Sequence, residues 1–132
     1  MFVTDTHALV HHVTGRKNKL GRAARRIFDS LRRGAETILI PFTALEEVML
    51  LCEVGRIKLP MPFRDFVISL TQSDGFDLGV NDAQLLLEAA SFRTIVDPYD
   101  RLIVAQARVA GAPLITGDNE IHESGLVRIV WD

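Results

Sequence analysis

The sequence predicts an α/β fold in which a mostly parallel central sheet is flanked by helices. Three observations support this prediction. Short apolar runs typical of buried strands alternate along the chain with longer segments of helical periodicity. The length of 132 residues suits one domain with a sizeable core. No internal repeat, low-complexity tract or linker interrupts the chain. We therefore expect residues 1–132 to form a single domain.

The predicted strands are short, and most are bounded by turn residues or by a helix start. They lie at residues 2–4, 37–41, 76–78, 113–116 and 127–131. Residues 6–10 turn towards helix, and the clearest helical patterns are at residues 20–33, 42–54, 63–70, 81–90 and 98–110. Glycine and proline residues mark several of the boundaries.

Two of these helices have a definite predicted inner face. In the helix at 20–33, the inner stripe consists of Ala23, Ala24, Ile27, Phe28 and Leu31. The pair Asn81 and Gln84 predicts the start of the helix at 81–90, whose inward residues are expected to be Ala83, Leu86, Leu87 and Ala90.

The helix at 98–110 has well-marked ends and leads directly into a strand. Pro98 suits the first helical position, which makes Asp97 the predicted N-cap and places Asp100 in the first turn. Gly111 ends the helix. Because a helix that turns back tightly into a strand brings its own start near the strand's end, we expect Asp100 to lie near Asp118.

The helix at 42–54 carries two adjacent glutamates with different predicted surroundings. Thr43 and Glu46 have the spacing of a capping box, which gives Glu46 a structural role. Glu47 instead falls in the apolar stripe that includes Ala44 and Val48. An acid on a packed face is costly unless something pairs with it, so Glu47 is the stronger functional candidate.

Four acids are expected at one edge of the sheet. Ligands of parallel sheets bind beyond the carboxyl ends of the strands, and the acids predicted there are Asp5, Glu47, Asp100 and Asp118. Carboxylates packed together repel unless a cation joins them. All-oxygen ligation favours Mg²⁺ or Mn²⁺, with Ca²⁺ also compatible. Such ions can activate water for phosphodiester cleavage.

Each acid alone also has a structural explanation. Asp5 could cap a helix, Glu47 could pair with a buried arginine, Asp100 could interact with a helix dipole, and Asp118 could be a turn residue. These alternatives do not explain why all four fall at one edge. Three further residues are candidates to position ligands or water around the site, namely Asp97, Thr116 and Asn119. Asp97 also has a simpler interpretation as a helix cap or a partner of Arg101.

The basic residues are unevenly distributed although the formal net charge is only −2. Eight of the fifteen lysines and arginines fall between residues 16 and 33. They could form a solvated helix face, or a patch that follows the phosphates of a nucleic acid. The candidate RNA-binding residues are Arg16, Lys17, Lys19, Arg22, Arg25 and Arg26.

Other ligand classes are disfavoured. The single cysteine, Cys52, excludes an internal disulfide and is best interpreted as a small packed residue. His7 and His11 have a metal-ligand spacing but lack the glutamate of a zincin helix, which argues against zinc. No apolar run is long enough to span a membrane and no leader peptide is evident, so we expect a cytoplasmic protein.

Four motifs distributed over nearly the whole chain resemble the PIN-domain family, and within it the VapC-type toxins of prokaryotic toxin–antitoxin pairs. The first motif spans residues 3–9, and the second joins residues 43–48 to residues 55–59. The third and most specific is Asp-Pro-Tyr-Asp-Arg-Leu-Ile-Val-Ala-Gln-Ala from residue 97, and the last is Leu-Ile-Thr-Gly-Asp from residue 114.

This resemblance implies a Mg²⁺- or Mn²⁺-dependent ribonuclease. The family's acids match Asp5, Glu47, Asp100 and Asp118, and a polar site position matches Thr116. Many relatives have tryptophan before the glutamate, where this chain has Glu46. Such toxins are similar in forming homodimers, and in being silenced by an antitoxin whose tail enters the cleft. An RNA substrate, a cognate antitoxin and a second copy of the chain are therefore the partners that the resemblance implies.

Two alternatives compete with this hypothesis. A phosphatase of the haloacid-dehalogenase type needs Asp-x-Asp, but His7 occupies the second acid's position after Asp5. A PIN module without catalytic activity could instead act by binding protein or RNA. Loss of an acid would be its usual sign, and all four acids are present.

Overall fold

The computed structural model describes residues 1–132 and contains five strands and seven α-helices. The strands are β1 (Phe2–Thr4), β2 (Ile38–Ile40), β3 (Phe76–Leu78), β4 (Leu114–Ile115) and β5 (Ile129–Val130). The helices are α1 (Thr6–Val13), α2 (Arg22–Ser30), α3 (Phe42–Glu53), α4 (Phe63–Gln72), α5 (Ala83–Ala90), α6 (Pro98–Ala110) and α7 (Asn119–Ser124). None of these helices has the length and apolar character needed to cross a bilayer.

The strands form one parallel sheet in the order β3-β2-β1-β4-β5, which confirms the predicted fold class. Val3 pairs with Leu39 on one side and with Leu114 on the other, so β1 is central. The chain progresses from β1 towards β3 in one direction, and β4 and β5 extend the sheet in the other. The strand order therefore reverses between β1 and β4, and this switch point is where parallel sheets form ligand crevices.

Two apolar clusters stabilise the sheet. The larger one joins β1 to the helices α3 to α6, with Phe66 and Ile103 among its fully buried side chains. The smaller one packs Phe28 and Leu31 against Ile38 and Ile115. Because helices pack against the sheet, the central strands are rigid. The residues that directly follow these strands therefore have fixed positions.

The predicted inner face of the helix at 81–90 is wrong. Leu85 and Ala89 are buried, whereas Leu86 and Leu87 are 62% and 73% exposed. The N-cap is Asp82, one residue after the predicted Asn81, and it accepts a hydrogen bond from the backbone N–H of Leu85 at 2.9 Å. Apolar residues occur around most of this short helix, so periodicity alone favoured the wrong side.

The predicted capping box on α3 is also wrong. The helix begins earlier, with Pro41 as its N-cap, and Pro41 has no side-chain group that could cap it. Thr43 is therefore inside the first turn, where its buried hydroxyl accepts a hydrogen bond from the Asn81 side chain at 3.2 Å. The same Asn81 nitrogen lies 3.5 Å from a carboxylate oxygen of Glu46.

Two smaller differences concern helix lengths. The helix predicted at 20–33 is shorter: α2 ends at Ser30 and a 3₁₀ turn follows over Leu31–Arg33. In its predicted inner stripe, Ala24 and Phe28 are buried, together with Leu31, which lies in that turn. The sequence also gave no clear signal for α7, which has only six residues.

Candidate active site

The four acids predicted at the sheet edge line one cleft of about 400 Å³. Asp5 follows β1, Glu47 lies in the second turn of α3, Asp100 is in the first turn of α6, and Asp118 follows β4. The expected convergence is therefore present, at the switch point of the sheet. Asp97 also borders the cleft, and no lysine or arginine is among its lining residues.

Asp5 is the most buried of the four acids, with 7% of its surface exposed. One carboxylate oxygen caps α1 by accepting from the backbone N–H of Ala8 at 2.8 Å. The other accepts from the hydroxyl of the fully buried Thr116 at 2.5 Å. Burial raises the pKa of Asp5, although both hydrogen bonds oppose that shift. Thr116 thus holds the carboxyl group in one orientation, as a supporting residue is expected to do.

Glu47 and Glu46 differ clearly in their surroundings. Glu47 is half-buried, borders the cleft and accepts a hydrogen bond from the hydroxyl of Thr6. Glu46 does not line the cleft and faces Asn81 instead. The stripe argument therefore selected the glutamate that the structure places beside the other acids.

Asp100 has the most perturbed proton affinity in the site. Burial, and after it repulsion from neighbouring acids, together raise the pKa of its carboxyl group to about 7; the acids are Asp97, Asp118, Glu47 and Asp5. No side-chain hydrogen bond offsets these contributions. The Asp100 carboxyl group is thus one that a nearby cation would stabilise strongly in its ionised form.

Asp97 and Asp118 are helix caps that also border the cleft. Asp97 caps α6 by accepting from the backbone N–H of Tyr99 at 2.8 Å, as predicted. Asp118 caps α7 by accepting from the backbone N–H of Ile121 at 3.0 Å. Each cap uses one carboxylate oxygen, Oδ1, for these hydrogen bonds. Asp118 can therefore cap α7 with Oδ1 and still offer its other carboxylate oxygen to a ligand.

The donor set fits a hard divalent cation better than zinc. Its side chains supply several carboxylate oxygens, the ligands that Mg²⁺ and Mn²⁺ prefer, and no thiolate. As the side chains stand, no three or more His, Cys, Asp or Glu groups are clustered tightly enough to hold a metal ion. The carboxyl groups of Asp5, Glu47 and Asp118 are separately hydrogen-bonded, that of Asp100 is not, and a shared cation would need to draw the four together. Burial raises the pKa of Asp100 and repulsion from the neighbouring acids adds to the shift, while no lysine or arginine lines the cleft to offset either effect.

The cleft also contains residues that the sequence analysis did not assign to it. They are Thr6, His7, His11, Gly117 and Trp131. Trp131 packs closely against two glycines. A Cβ atom added at Gly117 would lie 2.7 Å from the indole, and one added at Gly21 would lie 2.1 Å from the Trp131 carbonyl oxygen, so only glycine leaves enough room at either position. That carbonyl accepts from the backbone N–H groups of Ala23 and Ala24. No local sequence pattern indicates such contacts.

The remaining candidates lie outside the cleft. Asn119 is exposed at the first position of α7 and does not line it. Lys17 pairs with Asp29 at 3.1 Å. The other candidate RNA-binding residues are exposed on or beside α2 and also do not line the cleft, namely Arg16, Lys19, Arg22, Arg25 and Arg26.

A sequence profile of the PIN domain matches residues 2–125. The chain belongs to the PIN domain family. PIN domains of this kind are nucleases. No curated protein sequence matches the chain significantly.

Solved structures with the same fold include several toxin–antitoxin proteins. A chain of VapBC2 from Rickettsia felis, bound to a promoter DNA fragment, matches with a TM-score of 0.71 and 18% identity, covering 99% of this chain and 98% of that one. VapC20 of Mycobacterium tuberculosis, described as a toxin that cleaves the sarcin-ricin loop, matches with a TM-score of 0.66 and 15% identity over 100% of both chains. A chain of DNA-bound VapBC from Salmonella typhimurium matches with a TM-score of 0.67 and 20% identity, covering 98% and 96%. At these identities the likeness concerns the fold.

Proposed function

We propose that this PIN domain is a divalent-metal-dependent endoribonuclease and the toxin component of a type II toxin–antitoxin pair. The observation that carries the proposal is the convergence of Asp5, Glu47, Asp100 and Asp118 in one cleft without a lysine or arginine. The raised pKa of Asp100 supports it, because this arrangement costs stability unless it serves to hold positive charge. The choice of Mg²⁺ or Mn²⁺ follows from the oxygen ligands.

In this proposal, the four carboxylates hold one or more cations, and the neighbouring hydroxyls orient the carboxylates. When bound, the cation would lower the pKa of a water ligand and stabilise charge on the phosphodiester. Thr116 fixes Asp5, and Thr6 fixes Glu47. Each hydroxyl thereby limits the orientations that its carboxylate can take. Asp100, with a pKa near 7, changes protonation state near neutral pH and would become fully ionised on cation binding.

RNA is the proposed substrate because of the fold and the family. VapC20, which shares the fold over its whole length, is described as cleaving an RNA loop. Several structures of similar fold are of toxin–antitoxin complexes, and we propose a cognate antitoxin as the partner.

A homodimer is part of the same proposal, and the structure offers a face for it. Val80, Leu86 and Leu87 are 76%, 62% and 73% exposed at and just before α5. Neighbouring apolar side chains with this much exposure are typical of a surface that another protein covers. A second copy of the chain is the occupant that the family resemblance implies.

The experiment is RNA cleavage by the purified protein, freed of any copurifying partner, in EDTA, Mg²⁺ and Mn²⁺. The substrates form a panel of structured RNAs. Asp5→Asn is the informative variant, because its amide oxygen can keep the helix cap and its NH₂ group can donate to the Thr116 hydroxyl, while the negative charge is lost. Asp29→Asn, at an exposed position far from the cleft, is the matched control.

The proposal predicts cleavage that requires a divalent cation, persists in Asp29→Asn and is lost in Asp5→Asn. Cleavage that persists in EDTA or in Asp5→Asn would contradict it, because the activity would then not depend on this site. A folded wild-type protein that binds divalent cations but cleaves no RNA would favour the catalytically silent module.

A further inference from the structure

A second cleft of about 560 Å³ adjoins the acidic one and has the opposite charge. The two clefts share His7, His11, Glu47 and Asp97 along their common border. Beyond that border, the second cleft is lined by Arg16, Arg56 and Lys58, and we name it the cationic side cleft. Positive charge therefore begins where the carboxylate cluster ends.

Arg16 and Arg56 each follow the same kind of turn at the end of a helix. Each of α1 and α3 ends in a glycine with a left-handed backbone, Gly15 at φ +73° and Gly55 at φ +76°. After each glycine, the arginine's backbone N–H donates to the helix carbonyl five residues earlier, Arg16 to His11 at 2.8 Å and Arg56 to Leu51 at 2.9 Å. These bonds define a Schellman motif, which reverses the chain at the helix end.

Because α1 and α3 pack side by side, the two matching turns lie at the same edge of the site. The Schellman motif fixes the backbone of each arginine, and both arginine side chains line the cleft. Lys58 follows Arg56 by two residues and lines the same wall.

None of the three cations is neutralised by an acid of the protein. The salt bridges of the structure involve other groups, Met1 with Glu36, Lys17 with Asp29, and Arg108 with Glu88. Unpaired cations converging on a concave surface are suited to an anionic ligand. Arginine and lysine recognise phosphate oxygens, and the cleft continues directly into the acid cluster.

We infer that the cationic side cleft is a subsite for one or two backbone phosphates of the RNA strand, flanking the phosphodiester that the acid cluster cleaves. This inference rests on the proposed ribonuclease function and extends it to the path of the strand. It also changes the predicted interface, because Arg56 and Lys58 take the role that the sequence analysis gave to α2. Of the residues predicted there, Arg16 alone lines this subsite.

The test measures binding of a fluorescent single-stranded RNA in EDTA by anisotropy, so that cleavage does not interfere. The double variant Arg56→Ala, Lys58→Ala removes two cations from the side cleft. The matched control Arg25→Ala, Arg26→Ala removes two exposed cations from α2, which line neither cleft. Since all four side chains are exposed, both variants should fold as the wild type does, which thermal unfolding checks.

The expected result is a loss of affinity of about tenfold or more at 0.1 M salt for the side-cleft variant and little change for the α2 variant. The slope of log affinity against log salt should fall by about 1.4, which is 0.7 for each of two phosphate contacts. With an RNA that the wild type cleaves, KM should rise in the side-cleft variant while kcat is nearly unchanged. The charge-preserving variant Arg56→Lys, Lys58→Arg should retain most of the affinity.

Equal losses in the two double variants would overturn the inference, because a general positive field would then explain binding. Unchanged affinity after Arg56→Ala, Lys58→Ala would overturn it while leaving the ribonuclease proposal intact, provided that the wild type still cleaves RNA. A wild type that neither binds nor cleaves RNA would overturn both. If the side-cleft variant bound RNA normally but no longer bound the antitoxin, the inference would also be overturned. The cleft would then be assigned to a protein partner.

Discussion

The hydroxyl of Thr6 donates a hydrogen bond to the Glu47 carboxylate, which links the first turn of α1 to the second turn of α3. Thr6 is 1% exposed, so its hydroxyl has a fixed direction. The two residues are 41 positions apart in the sequence. Thr6 directly follows Asp5 in the chain. It ties the orientation of Glu47 to the strand end that carries Asp5.

Thr6→Val should reduce activity without unfolding the protein. The substitution removes the hydroxyl but keeps the shape of the side chain, so Glu47 loses the group that orients it. Supporting contacts of this kind are typically worth about 10- to 100-fold in metal affinity or activity. The measurement is the Mn²⁺ dependence of RNA cleavage.

Two controls make the Thr6 result specific. Thr6→Ser retains the hydroxyl and should keep most of the activity. Thr43→Val removes another buried hydroxyl of the same region, one that contacts Asn81 instead of a cleft acid, and should leave activity nearly unchanged. Full activity in Thr6→Val would show that Glu47 needs no support from this contact.

Stability in EDTA should fall as the pH rises from about 4 to about 7. The pKa of Asp100 is about 7 in the folded protein and near 3.8 when the side chain is free. Between these values the folded state binds more protons than the unfolded state, so deprotonation favours unfolding as the pH increases. Above pH 7 this contribution to the pH dependence should level off. Burial shifts the pKa of Asp5 upwards as well, which acts in the same direction.

Asp100→Asn should remove much of this pH dependence and raise the free energy of unfolding at pH 7.5. Because the carboxyl group is only partly buried, we expect a gain of about 1–2 kcal/mol after allowing for solvent screening. Urea unfolding at several pH values measures it. An Asp100→Asn protein with the same pH profile as the wild type would show that neither burial nor the neighbouring acids raise the pKa of Asp100 in the folded protein.

Mn²⁺ should quench the fluorescence of Trp131, which is the single tryptophan and lines the acidic cleft. A paramagnetic ion bound by the carboxylates would lie close to the indole, and excess Mg²⁺ should reverse the quenching by competition. Ligand binding to the folded state should also raise Tm in proportion to the logarithm of metal concentration. In Asp118→Asn both effects should weaken. If Mn²⁺ quenched the fluorescence of Asp118→Asn as strongly as that of the wild type, the ion would bind outside the acid cluster.

Gly21→Ala should destabilise the fold by about 1–3 kcal/mol, because the new methyl group would overlap the Trp131 carbonyl oxygen at 2.1 Å. The clash would disturb the hydrogen bonds that this carbonyl accepts from Ala23 and Ala24 at the start of α2. Arg22→Ala, at the adjacent exposed position, is the control and should change stability little. Thermal unfolding of the three proteins gives the comparison.

Much of the fold and of the site could be predicted from local patterns. The parallel sheet follows from short apolar runs alternating with helical segments. The position of Glu47 in the cleft follows from its place in an apolar stripe, because a helix that packs on one side fixes which residues face inwards. Asp97 as the cap of α6 follows from the Asp-Pro pair.

Other features depend on tertiary contacts that no local pattern specifies. Leu86 and Leu87 lie outwards because α6 packs against Leu85 and Ala89, and a short helix with apolar residues on most sides has no single best inner face. Trp131 reaches the acidic cleft only because two distant glycines leave room for it. The proximity of Arg16 to Arg56 and Lys58 could not be predicted, because only folding brings these three residues to one cleft.

The most direct test of the central claim is the rate of RNA cleavage by Glu47→Gln and Glu46→Gln, measured side by side in Mn²⁺ with the wild type. The two substitutions are chemically identical and affect adjacent residues of one helix, but only Glu47 lines the acid cluster. If the carboxylates form the metal site, Glu47→Gln should lose about 100-fold or more in rate, as expected when a group that stabilises transition-state charge is removed. Glu46→Gln should remain within about twofold of the wild type, because Glu46 does not line the cleft. Equal rates in the two variants, or a loss confined to Glu46→Gln, would contradict the account.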